Sequence, residues 1–189
     1  RLRVAHMAPN CTSREIFKHL LPDHSTAAFT ARIYVNEGAH GTDAVQTSRN
    51  LLLSDTAKAW SCPQLEIYAD DVKCTHGATT GEIDPGGLFY LRARGVPEDT
   101  ARALLAWAFA SEVINEVPVP SLRTHLARRI LAQLPGAEKL DEWWSSSQKS
   151  GLQGEVSVAA ARSGGEAGVL GATAAVLAHL GLGPAGQLL

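Results

Sequence analysis

Cysteine is scarce in this 189-residue chain: three are present, at positions 11, 62 and 74, and no two stand in CxxC spacing. An odd count without paired spacing speaks against a disulfide framework and against a self-contained zinc ribbon, and it fits a reducing, cytoplasmic setting. An excess of one charge is missing too, since 17 basic residues face 19 acidic ones for a formal net charge of −2. No global field therefore draws the chain to nucleic acid or to an acidic membrane surface. No apolar run approaches the roughly 20 residues that span a bilayer, and no basic-then-apolar signal opens the chain. The glycine-rich GEAGVLGAT of the tail lacks the GK[ST] of a phosphate-binding loop. The first residue is Arg1 rather than methionine, so an N-terminal portion is expected to precede it.

What is present begins with enough apolar residues, 45% of the chain, to build one core or one domain plus an appended segment. From Ala27 to about Asp84 the text reads as short β-rich runs separated by turn residues. Ile33 and Val35, then Leu65 and Ile67, alternate with polar neighbours, and Asn36, Gly38, Gly41 and Asp55 supply turn chemistry. Such runs stack as a β-solenoid or pair as an antiparallel sandwich, and spacing alone leaves both open.

After Pro85 the period becomes helical. Phe89, Leu91, Arg92 and Arg94 lead into a stop at Gly95, and Pro97, Glu98 and Asp99 open a second helix running to about Val117. Its stripe is Leu104, Leu105, Ala108, Phe109, Val113 and Ile114. A third helix is expected through Leu122, Leu126, Ile130 and Leu134, with Arg123, Arg128 and Arg129 on its wet side and Pro135 and Gly136 as its stop. The sequence thus divides into a β-rich core at 1–84, a helical region at 85–139, and a linker with an Ala/Gly-rich tail at 140–189, within which 169–180 could form a small helix.

The densest chemistry lies in ADDVKCTHGATTG, residues 69–81. Cys74 and His76 are two apart, so on a strand they share one face and project together. A thiolate and an imidazole suit a soft metal or an iron-sulfur cluster, but a cluster commonly takes four ligands and this chain offers one pair. Further ligands would have to come from another chain. Asp70 and Asp71 could orient His76, or could form the turn before it. The plainer alternative makes Cys74 a small packed hydrophobe and His76 a hydrogen-bonded loop residue. A thiol-dependent enzyme using Cys74 is a third reading, awkward for a Cys74 and His76 dyad because the side chains run parallel; His6, His24 or His40 would have to approach instead. Cys62, before Pro63, reads as a packed thiol, and Cys11 as part of a loop capped by Thr12 or Ser13 before a short helix or strand.

HMAPNCTSREIFK, TDAVQTSRNLLLSD, PQLEIYADDVKCTHGATTGEID and LFYLRARGVPEDTARALLAWAF occur in an order and spacing that resembles the C-terminal part of the SufB/SufD family of iron-sulfur cluster assembly proteins. The likeness covers residues 4–139, and the wording DDVKCTHGAT is that of the SufD branch. The resemblance implies a right-handed parallel β-helix followed by a small helical region, and a non-catalytic scaffold in a SufBCD complex. It further implies a heterodimer with the SufB paralogue through the β-helix, and docking of the SufC ATPase on the helices. His76 takes the place of the family's functional histidine and Cys74 that of its neighbouring cysteine, so both are implied at a transient iron or iron-sulfur site shared with SufB. Where the sister subunit has its sulfur-receiving cysteine this chain has Ile67, which implies that it is not the sulfur acceptor. His40 and Gly41 depart from the family's usual Gln and Lys, and residues after Lys139 match nothing in the family.

Overall fold

The structure, a computed structural model, describes residues 1–137 and Lys139. The linker and tail expected at 140–189 lie outside the described residues. Six strands come first: β1 (Leu2–His6), β2 (Thr12–Leu21), β3 (Thr26–Val35), β4 (Asp43–Leu52), β5 (Lys58–Ile67) and β6 (Lys73–Glu82). Each pairs in parallel with the strand two later in sequence, giving one sheet ordered β1-β3-β5 and another ordered β2-β4-β6. Alternate strands feeding two parallel sheets are the signature of a coil, not of an antiparallel sandwich, and the expected β-helix is what the β-rich segment forms.

The turns before β2, β4 and β6 explain how the coils stay in register. Asn10, Gly41 and Asp71 occupy equivalent places with φ of 59°, 70° and 53°. Glycine, asparagine and aspartate are the residue types that enter this left-handed region most readily. The turns then bond to one another through backbone, with Asn10 N–H donating to His40 C=O at 2.8 Å and Gly41 N–H to Asp71 C=O at 2.9 Å. Asp70 and Asp71 therefore act as turn formers. The Asp70 carbonyl accepts from His40 Nδ1 at 3.1 Å.

Strand alternation places one row of side chains inside the coil. On the β1-β3-β5 sheet that row includes Ala31, Ile33 and Val35, all fully buried, and Ile33 and Val35 with Ala39, Ala44 and Ala69 form an apolar core against which Leu65, Val72 and Cys74 pack. On the β2-β4-β6 sheet the inner row past Ala44 is polar. Gln46, Ser48 and Asn50 are buried there, and Ser61 of the opposite sheet closes the gap by bonding Ser48 at 3.2 Å and Asn50 at 3.1 Å.

Among the described residues three helices follow: α1 (Pro85–Ala93), α2 (Glu98–Asn115) and α3 (Pro120–Leu131). Asp84 caps α1 by accepting from Gly86 N–H and Gly87 N–H at 3.2 and 2.7 Å, which satisfies two of the otherwise unpaired donors of a helix start. Gly95, at φ +84°, ends that turn. Leu91, Val96, Ala101, Leu104 and Leu105 form the core of this unit, joined by Ile83, Leu88 and Tyr90. Arg123, expected on a wet face, instead folds back and donates to the Val117 carbonyl at 3.0 and 3.2 Å. The contacts divide the chain into Arg1–Glu82 and a unit beginning at Ile83.

Candidate functional site

β6 is a terminal strand of its sheet, paired on one side with β4. Its register aligns Cys74 with Ala44, His76 with Gln46, Ala78 with Ser48 and Thr80 with Asn50. Because the β4 partners form the inner row, Cys74 and His76 also stand on the inner side of the coil, two residues apart as the sequence predicts. No further coil covers them among the described residues: Cys74 is half-buried and His76 exposed.

The two side chains differ in surroundings. Cys74 packs against the apolar core. Burial pushes its thiol up from the ordinary cysteine value; a backbone hydrogen bond at Ala44 pulls the other way and the negative charge of Asp43 adds to the rise. At neutral pH it is a thiol, not a thiolate. Two of the histidines considered as its base are engaged elsewhere: His6 bonds Ser13 Oγ at 3.1 Å and His40 bonds the Asp70 carbonyl. Such a cysteine gains nucleophilicity only when something else removes its proton, and the thiol-enzyme reading finds no activating partner among these residues. A metal ion does remove that proton on binding.

The remaining cysteines stand apart from the pair. Cys62, which the sequence suggests is a packed thiol, is instead exposed on the outer face of β5, where Gln64 Nε2 approaches its sulfur at 3.8 Å, and Cys11 lies in the turn before β2. No group of three or more His, Cys, Asp or Glu side chains able to hold a metal ion occurs among the described residues. Cys74 and His76 are thus two side chains of metal-ligating type with no third beside them among the described residues. Beneath them runs a polar row that the sequence pattern did not single out: Glu15 of β2 and Gln46 of β4 lie in register with His76, and Gln46 Nε2 donates to Glu15 Oε2 at 2.7 Å.

Fold and site together define a class: a short parallel β-coil that presents a thiol and an imidazole at an uncovered rung, with a helical unit after it. The comparisons with known proteins narrow the class. The family described as "SUF system FeS cluster assembly, SufBD core domain" matches residues 1–109, and the chain belongs to the SufB/SufD family. Over 139 residues it is 40% identical to the iron-sulfur cluster assembly protein SufD of Escherichia coli, an alignment covering 74% of this chain and 33% of that protein. It is 40% identical over 116 residues to the chloroplastic protein ABCI7 of Arabidopsis thaliana, covering 61% and 24%. With the SufD of Bacillus subtilis it shares 36% over 112 residues, covering 59% and 26%. The chain spans about a third or less of the length of these curated relatives.

Proposed function

We propose that this chain is the SufD-like, non-catalytic scaffold part of an iron-sulfur cluster assembly complex, in which Cys74 and His76 face a paralogous SufB subunit and a SufC ATPase docks on the helical region. The observation that carries the proposal is the position of the pair: two ligand types side by side at an open rung, without enough neighbours among the described residues to hold a cluster alone. A set of that kind is completed by a second chain, and relatives named for cluster assembly supply the cargo chemistry. The iron or nascent cluster is cargo shared with the partner. Imidazole nitrogen and thiolate sulfur both suit iron, the sulfur once its proton has left.

Ile67, at the end of β5, stands where the sister subunit has its sulfur-receiving cysteine, and on this proposal the partner receives the sulfur. The helical unit presents Phe89, Val119 and Leu122 at its surface, apolar side chains of the sort a docked ATPase subunit would cover. No helix among the described residues is long and apolar enough to cross a membrane. A cytoplasmic location is part of the proposal and follows the three unpaired cysteines.

The test is co-expression of the chain with SufB and SufC proteins, followed by iron and sulfide analysis of the purified complex. His76→Ala is expected to lower both contents several-fold while the complex still forms, because the residue is exposed and contributes little packing. Unchanged iron and sulfide in the His76→Ala complex would remove His76 from the site. Loss of the complex itself would make the residue a docking contact.

A further inference from the structure

Gln46 is fully buried, yet its side-chain oxygen Oε1 has no hydrogen-bond partner. Buried amide oxygens are seldom left without a donor, since an unmade bond costs about 1–3 kcal/mol. The chemistry of the neighbours fixes which end of the amide is which. Glu15 is a carboxylate that can only accept, so the Gln46 atom 2.7 Å from Glu15 Oε2 has to be the NH₂ nitrogen. With the nitrogen committed to the coil on one side, the oxygen is left for the other. There the register places His76, on the neighbouring strand and the same inner row, roughly 4.8 Å away at strand spacing.

The His76 ring has an N–H to give and stands at the surface, free to turn about its side-chain torsions. A buried acceptor without a donor and a surface imidazole with an N–H to give therefore answer one another. We infer that Gln46, held by Glu15, is a positioning residue that takes the inward N–H of His76 and so fixes the ring's orientation and tautomer, leaving the lone pair of the other nitrogen directed away from the coil. A histidine that ligates a metal ordinarily donates its second nitrogen's proton to an acceptor of this kind. The inference rests on the reading of His76 as the site residue, and adds to it a buried lever two strands deep. Sequence inspection gives no sign of it, because Glu15, Gln46 and His76 are about 30 residues apart in turn.

The full chain, labelled with ¹⁵N at histidine and free of metal, tests this by long-range ¹H–¹⁵N correlation in mildly alkaline solution, where free imidazole is neutral. A single tautomer is expected for His76. Gln46→Met, which keeps length and removes the acceptor, should collapse that pattern to the averaged signals of an exposed histidine. The double swap Glu15→Gln with Gln46→Glu keeps both a donor-acceptor pair and a free oxygen toward His76, and should retain the single tautomer. A tautomer mixture in the unaltered chain, survival of the single tautomer in Gln46→Met, or its loss in the swap would each overturn the inference. Should Gln46→Met fail to fold, the unaltered chain and the swap still decide. A purely structural Gln46 would shift the melting temperature and leave the tautomer alone. Because no iron is present, failure here leaves the assembly role of His76 standing, and failure of that role leaves this result intact.

Discussion

The two walls of the coil are built on one plan and filled with opposite chemistry. Along the β1-β3-β5 wall the inner row at mid-sheet is Ala31, Ile33 and Val35, each fully buried. Along the β2-β4-β6 wall the corresponding row is Gln46, Ser48 and Asn50, also buried, then Cys74, His76, Ala78 and Thr80 at the open rung. Identical backbone pairing with different fillings separates two tasks. The apolar wall supplies burial, which is non-directional and scales with area. The polar wall supplies directed hydrogen bonds, which fix where particular side chains stand.

The sharpest way to break this contrast is Ile33→Ala. Removing most of a fully buried side chain from the apolar wall should cost about 2–5 kcal/mol, read as a lower midpoint in urea unfolding followed by circular dichroism. A loss under about 1 kcal/mol, the range of an exposed-site change, would mean that the apolar wall is not the main source of stability. A smaller but definite effect is expected on the other wall from Asn50→Ala. The Asn50 amide donates to Ser61 Oγ at 3.1 Å, Thr80 Oγ1 at 3.0 Å and the Thr79 carbonyl at 3.2 Å, so it ties β4 to β6 and to the opposite sheet. Losing these should cost about 1–3 kcal/mol. The same unfolding experiment checks it, with hydrogen exchange of β6 amides rising more than that of β3. Equal loosening of both strands would count against a local polar clamp.

The difference between the walls also explains what could be read from the text. Alternation of Ile33 and Val35, and of Leu65 and Ile67, announces strands because one face is apolar. β2 carries Ser13, Glu15 and His19 inward and Arg14 and Lys18 outward, so alternation of polarity is absent and residues 12–21 read as strand only once β4 is set beside them. Solenoid against sandwich depends on which strands pair across some 30 residues, and that information lies in no local window. The helices were legible because Pro, Gly and acidic signals mark their ends, though α3 stops at Leu131, short of the Pro135 signal. Of the site, the shared face of Cys74 and His76 follows from strand period alone. The Glu15 and Gln46 row beneath them does not, since it needs the register of three coils.

The smallest expected effect separates the apolar wall's influence on the site from the polar wall's. Cys74 rests on the apolar core while Cys62 is exposed on the outside of the coil. With a thiol-reactive probe in excess, Cys62 should be modified first near neutral pH. Cys74 should follow only as pH climbs past the ordinary cysteine value of about 9.0, because burial and the charge of Asp43 hold its proton. The sign for folding is set by the same shift: with the folded value raised above the unfolded one, the protonated thiol favours the fold below the unfolded value, and that contribution is lost as pH rises through the folded value. Half-burial keeps the stability change small, and mass spectrometry of the labelled peptides measures the order of modification directly. Asp43→Asn removes the nearby negative charge and should bring Cys74 labelling to slightly lower pH. If Cys74 labels as readily as Cys62 at neutral pH, the core does not shield it. The metal-free thiol would then stand ready as a thiolate, as a thiol-dependent enzyme using Cys74 requires.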